Sequence, residues 1–342
     1  MKTPSFNYPL RTRNTFGLEV NAYQFIDIEA EDEVLNYAGE YLSAHPYFVI
    51  GGGSNLLFLK DYEGILLHSS IKYLTVVTES SADVVVRVGS GMQWDEFVAL
   101  CVDRNWRGIE CLSLIPGDVG AAAVQNIGAY GEEISNHIEE VGGIDLANGQ
   151  RRTFTRQECL YDYRDSIFKQ TLRGQYFITW VSFRLRKSPT LSWSDITYKA
   201  LSDSLSELGQ EVSLCKVREA VIRLREGKLP NPEILGNVGS FFMNPIIDRS
   251  HGEMLRTAYS DMPLYEQANK AKVKTSAAWL IEKCGWKGRA MGRAAVYDKQ
   301  PLVLVNTGDA TASEIVALAE AIQKDVWKQF AIRLIPEVNY IS

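Results

Sequence analysis

Residues 49–59 read VIGGGSNLLFL, and residues 114–134 read LIPGDVGAAAVQNIGAYGEEI. In the first stretch, apolar β-formers run into Gly51, Gly52 and Gly53, then Ser54 and Asn55, then a second apolar segment. Three glycines remove the Cβ atoms that keep a ligand off the backbone. Such a loop is either a tight turn between two strands or an anion-binding concavity of successive N–H groups, to which Ser54 and Asn55 add side-chain donors. It is not the dinucleotide fingerprint, because position 56 is leucine and no long helix is expected after it. It is not a P-loop either, since no Lys-Ser/Thr pair follows. The second stretch contains Pro116, Gly117, Gly120, Gly128, Ala129 and Gly131, and few side chains besides Tyr130 are large. A backbone this bare suits a close-packed crossing of chain segments or the close approach of a flat, extended ligand. Gln125 and Asn126 offer amide groups for the edges of a heterocycle. Two such stretches, 65 residues apart, point to one shared ligand that carries a diphosphate.

Around these loops the chain alternates short β-rich runs with a few helices. Tyr47–Ile50 (YFVI), residues 83–88 (DVVVRV) and residues 177–185 (FITWVSFRL) are rich in β-branched and aromatic residues and read as strands. Residues 93–105 read as a helix with Trp94, Phe97, Val98, Cys101 and Val102 on one face. Residues 213–225 place Val217, Val221 and Leu224 at helical spacing. Thr311 and Glu314 fit a capping box ahead of a helix with Ile315, Leu318, Ile322, Val326 and Phe330 on its apolar face. A last strand is expected over residues 333–341. The absence of a regular βαβ rhythm argues for an α+β fold rather than a doubly wound sheet. A serine-dense, polar stretch after Lys187 is the best candidate for a domain boundary. The expected domains are therefore residues 14–187 and 203–342, in keeping with two cores for 342 residues.

Composition narrows the function. Hydrophobic residues make up 46% and charged residues 23%, which excludes a disordered or collagen-like chain. Thirty-six basic against 42 acidic side chains give a net charge of −6, without the basic footprint of a nucleic-acid binder. No apolar stretch approaches the roughly 20 residues of a membrane span. Residues 1–14 lack the apolar core of a secretory leader. The five cysteines form no CxxC pair, so neither a disulfide framework nor a zinc site is suggested. A cytoplasmic protein with reduced thiols is expected, with no membrane or nucleic-acid partner; the sequence does not give an oligomeric state.

GGGSNLLF together with IPGDVGAAAVQNIGAYG resembles the flavin-binding region of the UDP-N-acetylenolpyruvoylglucosamine reductase family. The likeness continues through NTFGL (14–18), YRDSIFK (163–169), KLPNPEILGNVGSFFMN (228–244) and PEV (336–338), in the family's order. It implies a PCMH-type FAD-binding domain of two subdomains, followed by a C-terminal α+β substrate-binding domain. It implies bound FAD, NADPH as hydride donor, and reduction of an enolpyruvyl ether on a UDP-sugar in peptidoglycan precursor synthesis. The cofactor-binding residues implied are Gly51, Gly52, Gly53, Ser54, Asn55, Pro116, Gly117, Gly120, Gln125, Asn126, Gly128, Ala129 and Tyr130.

The resemblance also assigns catalytic positions to Arg164, Ser240 and Glu337. Arginine suits a substrate carboxylate, since its planar fork binds both oxygens and stays charged. Ser240 is a weak acid, yet a well-placed hydroxyl can protonate a strongly basic carbanion-like species. An ionised Glu337 would repel the developing enolate. It is therefore either held protonated by burial and like charge or orients Arg164 or a water. Arg225, Lys228, Asn244, Tyr265 and Gln300 match substrate-pocket positions. Two departures stand out: Trp193 falls in the loop where the long form of the family carries a tyrosine, and Met243 replaces a common lysine. None of His45, His68, His137 and His251 has metal-ligand spacing or matches a catalytic motif. Another PCMH-type flavin oxidoreductase, and a non-catalytic UDP-sugar or flavin binder, are the competing readings.

Overall fold

The protein is described by a computed structural model covering residues 4–206 and 211–342. It is α+β, and its contacts divide it into two compact units. The first comprises Met1–Tyr8, Ala22–Gly52 and Glu63–Arg225; the second comprises Pro9–Asn21, Gly53–Tyr62 and Glu226–Ser342.

At the centre of the first unit is an antiparallel sheet built around the long strand Tyr176–Lys187. That strand pairs with Ile138–Asp145 on one side and Asp83–Gly89 on the other, with Val181 opposite Val88 and Phe183 opposite Val86. The helix Trp94–Asp103 turns Trp94, Phe97, Val98 and Cys101 into the same core, as its spacing predicts. The Trp94 indole N–H is satisfied by the Leu112 carbonyl at 2.8 Å, so the ring is buried without an orphaned donor. A second sheet carries the strands Ser5–Pro9, Asn21–Ile28, Tyr62–Ser69 and Tyr47–Ile50 in that order, the last two parallel. Ile26, Ile28, Ile65 and Leu67 fill its core. Tyr47–Ile50 therefore enters the glycine loop from a fixed strand.

The serine-dense stretch is not a linker where it is described. It forms the strand pair Thr190–Ser192 and Glu211–Ser213 and the helix Lys199–Leu205, followed by the helix Leu214–Lys228. Leu191, Leu201, Leu205, Val217 and Val221 pack together with Val102, so its sparse leucines bury while its serines face outward. Residues 207–210 of that stretch lie outside the described residues. The chain leaves the first unit at Arg225, later than the 187–203 interval that composition suggests, and the second unit also draws on two early segments.

In the second unit, a four-stranded antiparallel sheet runs in the order Gly236–Ser240, Val303–Asn306, Ala294–Val296, Ala290–Met291. The helix Ala312–Phe330 begins with the predicted capping box, Thr311 and Glu314 each bonding the other's backbone. Ile315, Leu318, Ile322, Val326 and Phe330 are buried, together with Phe16, Leu57, Phe241 and Phe242. The expected strand over residues 333–341 is shorter, Asn339–Ile341, and pairs in parallel with Leu56–Phe58. Pro336 has no N–H to donate to a ladder and keeps only an isolated bridge with Phe242.

Candidate active site

Within the first unit the two glycine loops meet. A Cβ on Gly51 would lie 2.8 Å from the Cβ of Ala121, and one on Gly52 would lie 2.9 Å from the Cα of Gly117. Both readings of the bare backbone thus find support: the glycines let the loops pack, and Gly52, Pro116 and Ala121 leave an exposed edge free of large side chains. A third loop, Gly89-Ser90-Gly91, closes this cradle. The Gly120 N–H donates to the Ser90 carbonyl at 2.9 Å, a Cβ on Gly120 would press on Ser90, and the Ser69 and Ser90 hydroxyls are 2.7 Å apart. Nothing in the sequence reading singled this loop out. Its signal is Gly-Ser-Gly directly after the β-branched run 83–88.

The run of alanines is a short helix, Val119–Gln125, that ends with Asn126 in the left-handed conformation at φ 47°. The Nε2 of Gln125 is buried and makes no hydrogen bond with any described residue. A buried donor without a partner is rare in folded proteins and calls for an explanation. Asn126 behaves differently from the expectation of a heterocycle contact. Its carboxamide is buried and turned into the protein, donating to the Asp162 carbonyl at 2.8 Å and to Glu133 at 3.2 Å, and accepting from the Ser135 N–H at 3.2 Å.

Arg164 stands at a tight turn in which Asp162 and Asp165 exchange backbone hydrogen bonds of 3.1 and 3.0 Å. Its φ of 55° is left-handed, a conformation that costs a non-glycine residue about 1–2 kcal/mol. The guanidinium reaches the second glycine loop, bonding the Asn126 carbonyl at 3.4 Å and the Gly128 carbonyl. A side chain at 128 would occupy the guanidinium's place, 2.7 Å from its Nη1. Tyr130 packs edge-on against Tyr198 at 5.3 Å, and burial raises its phenol pKa. Arg225 is half-buried with its Nε unbonded among the described residues. Burial lowers its pKa, while Tyr130 and Asp95 nearby oppose that shift. Arg218, on the same helix, is a structural cation: it clasps Asp95 at 2.6 and 2.7 Å. Trp193 packs against the small core of the serine-dense stretch.

In the second unit, Ser240 and Glu337 come onto adjoining segments although 97 positions separate them. The Glu337 N–H donates to the Phe241 carbonyl at 2.8 Å, one residue beyond Ser240, and the Asn55 carboxamide donates to the Glu337 carbonyl at 3.1 Å. Gln300 is placed by its turn: its carbonyl accepts from Val303, the residue opposite Ser240. Gly53 packs so tightly on the Arg13 carbonyl that no side chain fits, and Ser54 follows it in that loop. Asn244 caps another element, its Oδ1 accepting from Ala277 at 3.0 Å. Lys228 ends its helix on the surface, and Tyr265 is exposed on the strand Leu264–Glu266.

Residues 27–155 match the model of an FAD binding domain, and residues 231–341 match that of the UDP-N-acetylenolpyruvoylglucosamine reductase C-terminal domain. Over 334 residues the chain is 48% identical to the UDP-N-acetylenolpyruvoylglucosamine reductase of Bacteroides fragilis, covering 98% of this chain and 99% of that protein. The reductase of Porphyromonas gingivalis is 45% identical over 336 residues, covering 98% of each. The crystal structure of the same reductase from Thermus caldophilus superposes with a TM-score of 0.68 at 20% identity, over 99% of this chain and 98% of that one, which supports the fold.

Proposed function

Because the chain belongs to the UDP-N-acetylenolpyruvoylglucosamine reductase family, we propose that Arg164, Ser240 and Glu337 have its catalytic roles and that the glycine cradle serves its cofactor. The chain is an NADPH-dependent FAD oxidoreductase that reduces the enolpyruvyl group of a UDP-N-acetylglucosamine ether in peptidoglycan precursor synthesis. FAD, when bound, supplies the hydride chemistry that no side chain can perform.

The residues present fit that cofactor. A side-chain-poor edge at Gly52, Pro116 and Ala121 suits a flat ring or a diphosphate, and the unbonded Nε2 of Gln125 suits an acceptor on it. The chain's own groups then handle charge and the proton. Reduction leaves negative charge on the substrate's enolpyruvyl carboxylate. Arg164 holds that carboxylate and stabilises the charge by preorganised electrostatics. Ser240 delivers the proton, with Gly239 at φ 68° turning the backbone beside it. Glu337, anchored through its own backbone, acts as a neutral hydrogen-bond donor. Lys228 and Arg225 are the cations for the UDP diphosphate, and Asn244, Tyr265 and Gln300 are further substrate-binding residues.

The observation that carries this reading is the pairing of the Glu337 backbone with Phe241, which brings two candidate groups from distant sequence onto neighbouring segments. Purified protein should be yellow, bleach with NADPH in the absence of oxygen, and regain colour when UDP-N-acetylglucosamine enolpyruvate is added. Colourless protein that takes up no added FAD, or bleached protein that the UDP-sugar does not reoxidise, defeats the reading. Glu337→Gln should keep most of the reoxidation rate if a neutral donor suffices; a collapse would mean that Glu337 moves a proton.

A further inference from the structure

A left-handed residue at a helix end need not be asparagine, since glycine adopts that conformation with less strain. Asn126 is nonetheless fully buried, and its side chain has more to do than close a helix. Its Nδ2 donates to the Asp162 carbonyl at 2.8 Å and to Glu133 at 3.2 Å, while its Oδ1 accepts from the Ser135 N–H. The Asp162 carbonyl is also one half of the reciprocal backbone bridge that forms the Arg164 turn. The main-chain carbonyl of Asn126 accepts from the Arg164 guanidinium itself. One residue therefore holds the turn at its base and, together with the Gly128 carbonyl, meets the side chain at its tip. Other groups hold the rest of the turn: Lys169 donates to the Arg164 carbonyl at 2.5 Å, and the Asp165 carboxylate accepts from Ser166 at 2.9 Å and Gln170 at 2.8 Å.

We propose that Asn126 is the positioning residue for Arg164, its carboxamide locking the strained 162–165 turn so that the guanidinium stays aimed along the second glycine loop. This rests on the reading of Arg164 as the cation for the substrate carboxylate. An unlocked turn would let the backbone at 164 relax out of its left-handed conformation and swing the guanidinium away. Binding and reduction by NADPH do not need that aim; reoxidation by the enolpyruvyl substrate does.

Asn126→Gly keeps the backbone conformation and removes only the carboxamide. Asn126→Asp keeps the size but replaces the donor by a carboxylate facing Glu133 and the Asp162 carbonyl. The holoenzyme variants should retain flavin and be reduced by NADPH within about 3-fold of wild type. Reoxidation by the UDP-sugar should slow at least 10-fold, and substrate affinity measured by calorimetry on the oxidised protein should fall several-fold. In Asn126→Asp, reoxidation relative to wild type should recover as pH falls and the new carboxyl becomes a donor. The proposal is overturned by wild-type reoxidation in Asn126→Gly, by equal slowing of both half-reactions, by loss of flavin, or by failure of both variants to fold. Arg164→Ala is the separate control: if it leaves reoxidation unchanged, the role of Arg164 itself is wrong, whatever Asn126 does.

Discussion

Gly52→Ala is the sharpest probe of the cradle. Position 52 does not require a left-handed backbone, so the substitution adds a contact without a conformational penalty. The new Cβ would sit 2.9 Å from the Cα of Gly117, where carbon atoms settle at about 3.5–4.0 Å. The two loops must part by at least about 0.6 Å on that comparison. Inserting one methyl into a packed contact costs about 1–3 kcal/mol. If the ligand holds the two loops together more firmly than the free protein does, that strain weighs on the bound form. At 1.4 kcal/mol per decade, FAD affinity should drop about 5- to 150-fold. Fluorescence titration of deflavinated protein with FAD measures this directly, with the melting temperature of the FAD-free variant as the control for folding. An affinity within 2-fold of wild type would show that the 52–117 contact carries no ligand-binding strain, and the cradle would have to be sought elsewhere.

With Lys228 proposed as a cation for the diphosphate, Lys228→Ala should raise the KM for the UDP-sugar roughly 10-fold or more with little change in flavin reduction by NADPH; steady-state kinetics at constant ionic strength would check it. Asp95→Asn should cost about 1–2 kcal/mol, since Arg218 then loses a partly buried, two-pronged partner. Burial pushes the Asp95 carboxyl up, but Arg218 and the Leu114 N–H pull it down further, so its pKa in the folded protein lies below the ordinary value. The stability it gives is therefore present above the ordinary carboxylate pKa and lost as pH falls through the lowered one; urea melts from pH 7 to pH 3 should show wild type converging on the variant in acid. Gly227→Ala, in a helix with open space around it, should raise stability by about 0.4–1 kcal/mol, visible as a higher melting temperature.

Much of this fold is written locally. The strands at 47–50, 83–89 and 176–187 announce themselves by β-branched and aromatic runs, and the final helix by its capping box. Short elements made of small residues do not: Val119–Gln125 has no apolar period to betray it, because glycine and alanine give little contrast between faces. The serine-dense stretch misleads for a related reason, since a few leucines at the right places suffice to bury it while serines dominate its composition. Candidate site residues were legible as types in motifs. What each side chain does was not: Asn126 looks like a ligand contact until its three hydrogen bonds are seen, and nothing near Ser240 in sequence foretells that residue 337 is laced to Phe241.

The interleaved path of the chain bears on how the molecule is made. Residues 9–21 and 53–62 belong to a unit whose remainder begins at Glu226. At about 5–20 residues per second of synthesis, those early segments are made about 10–40 seconds before the rest of their unit begins. Leu56–Phe58 emerges as a strand whose parallel neighbour, Asn339–Ile341, is made long after it. Phe16 and Leu57, destined for a buried core, must wait in contact with solvent until their partners from Val238 to Val338 have been made. A stalled or truncated nascent chain would thus expose sticky apolar surface at its beginning rather than at its growing tip, and quality control would read the fault there.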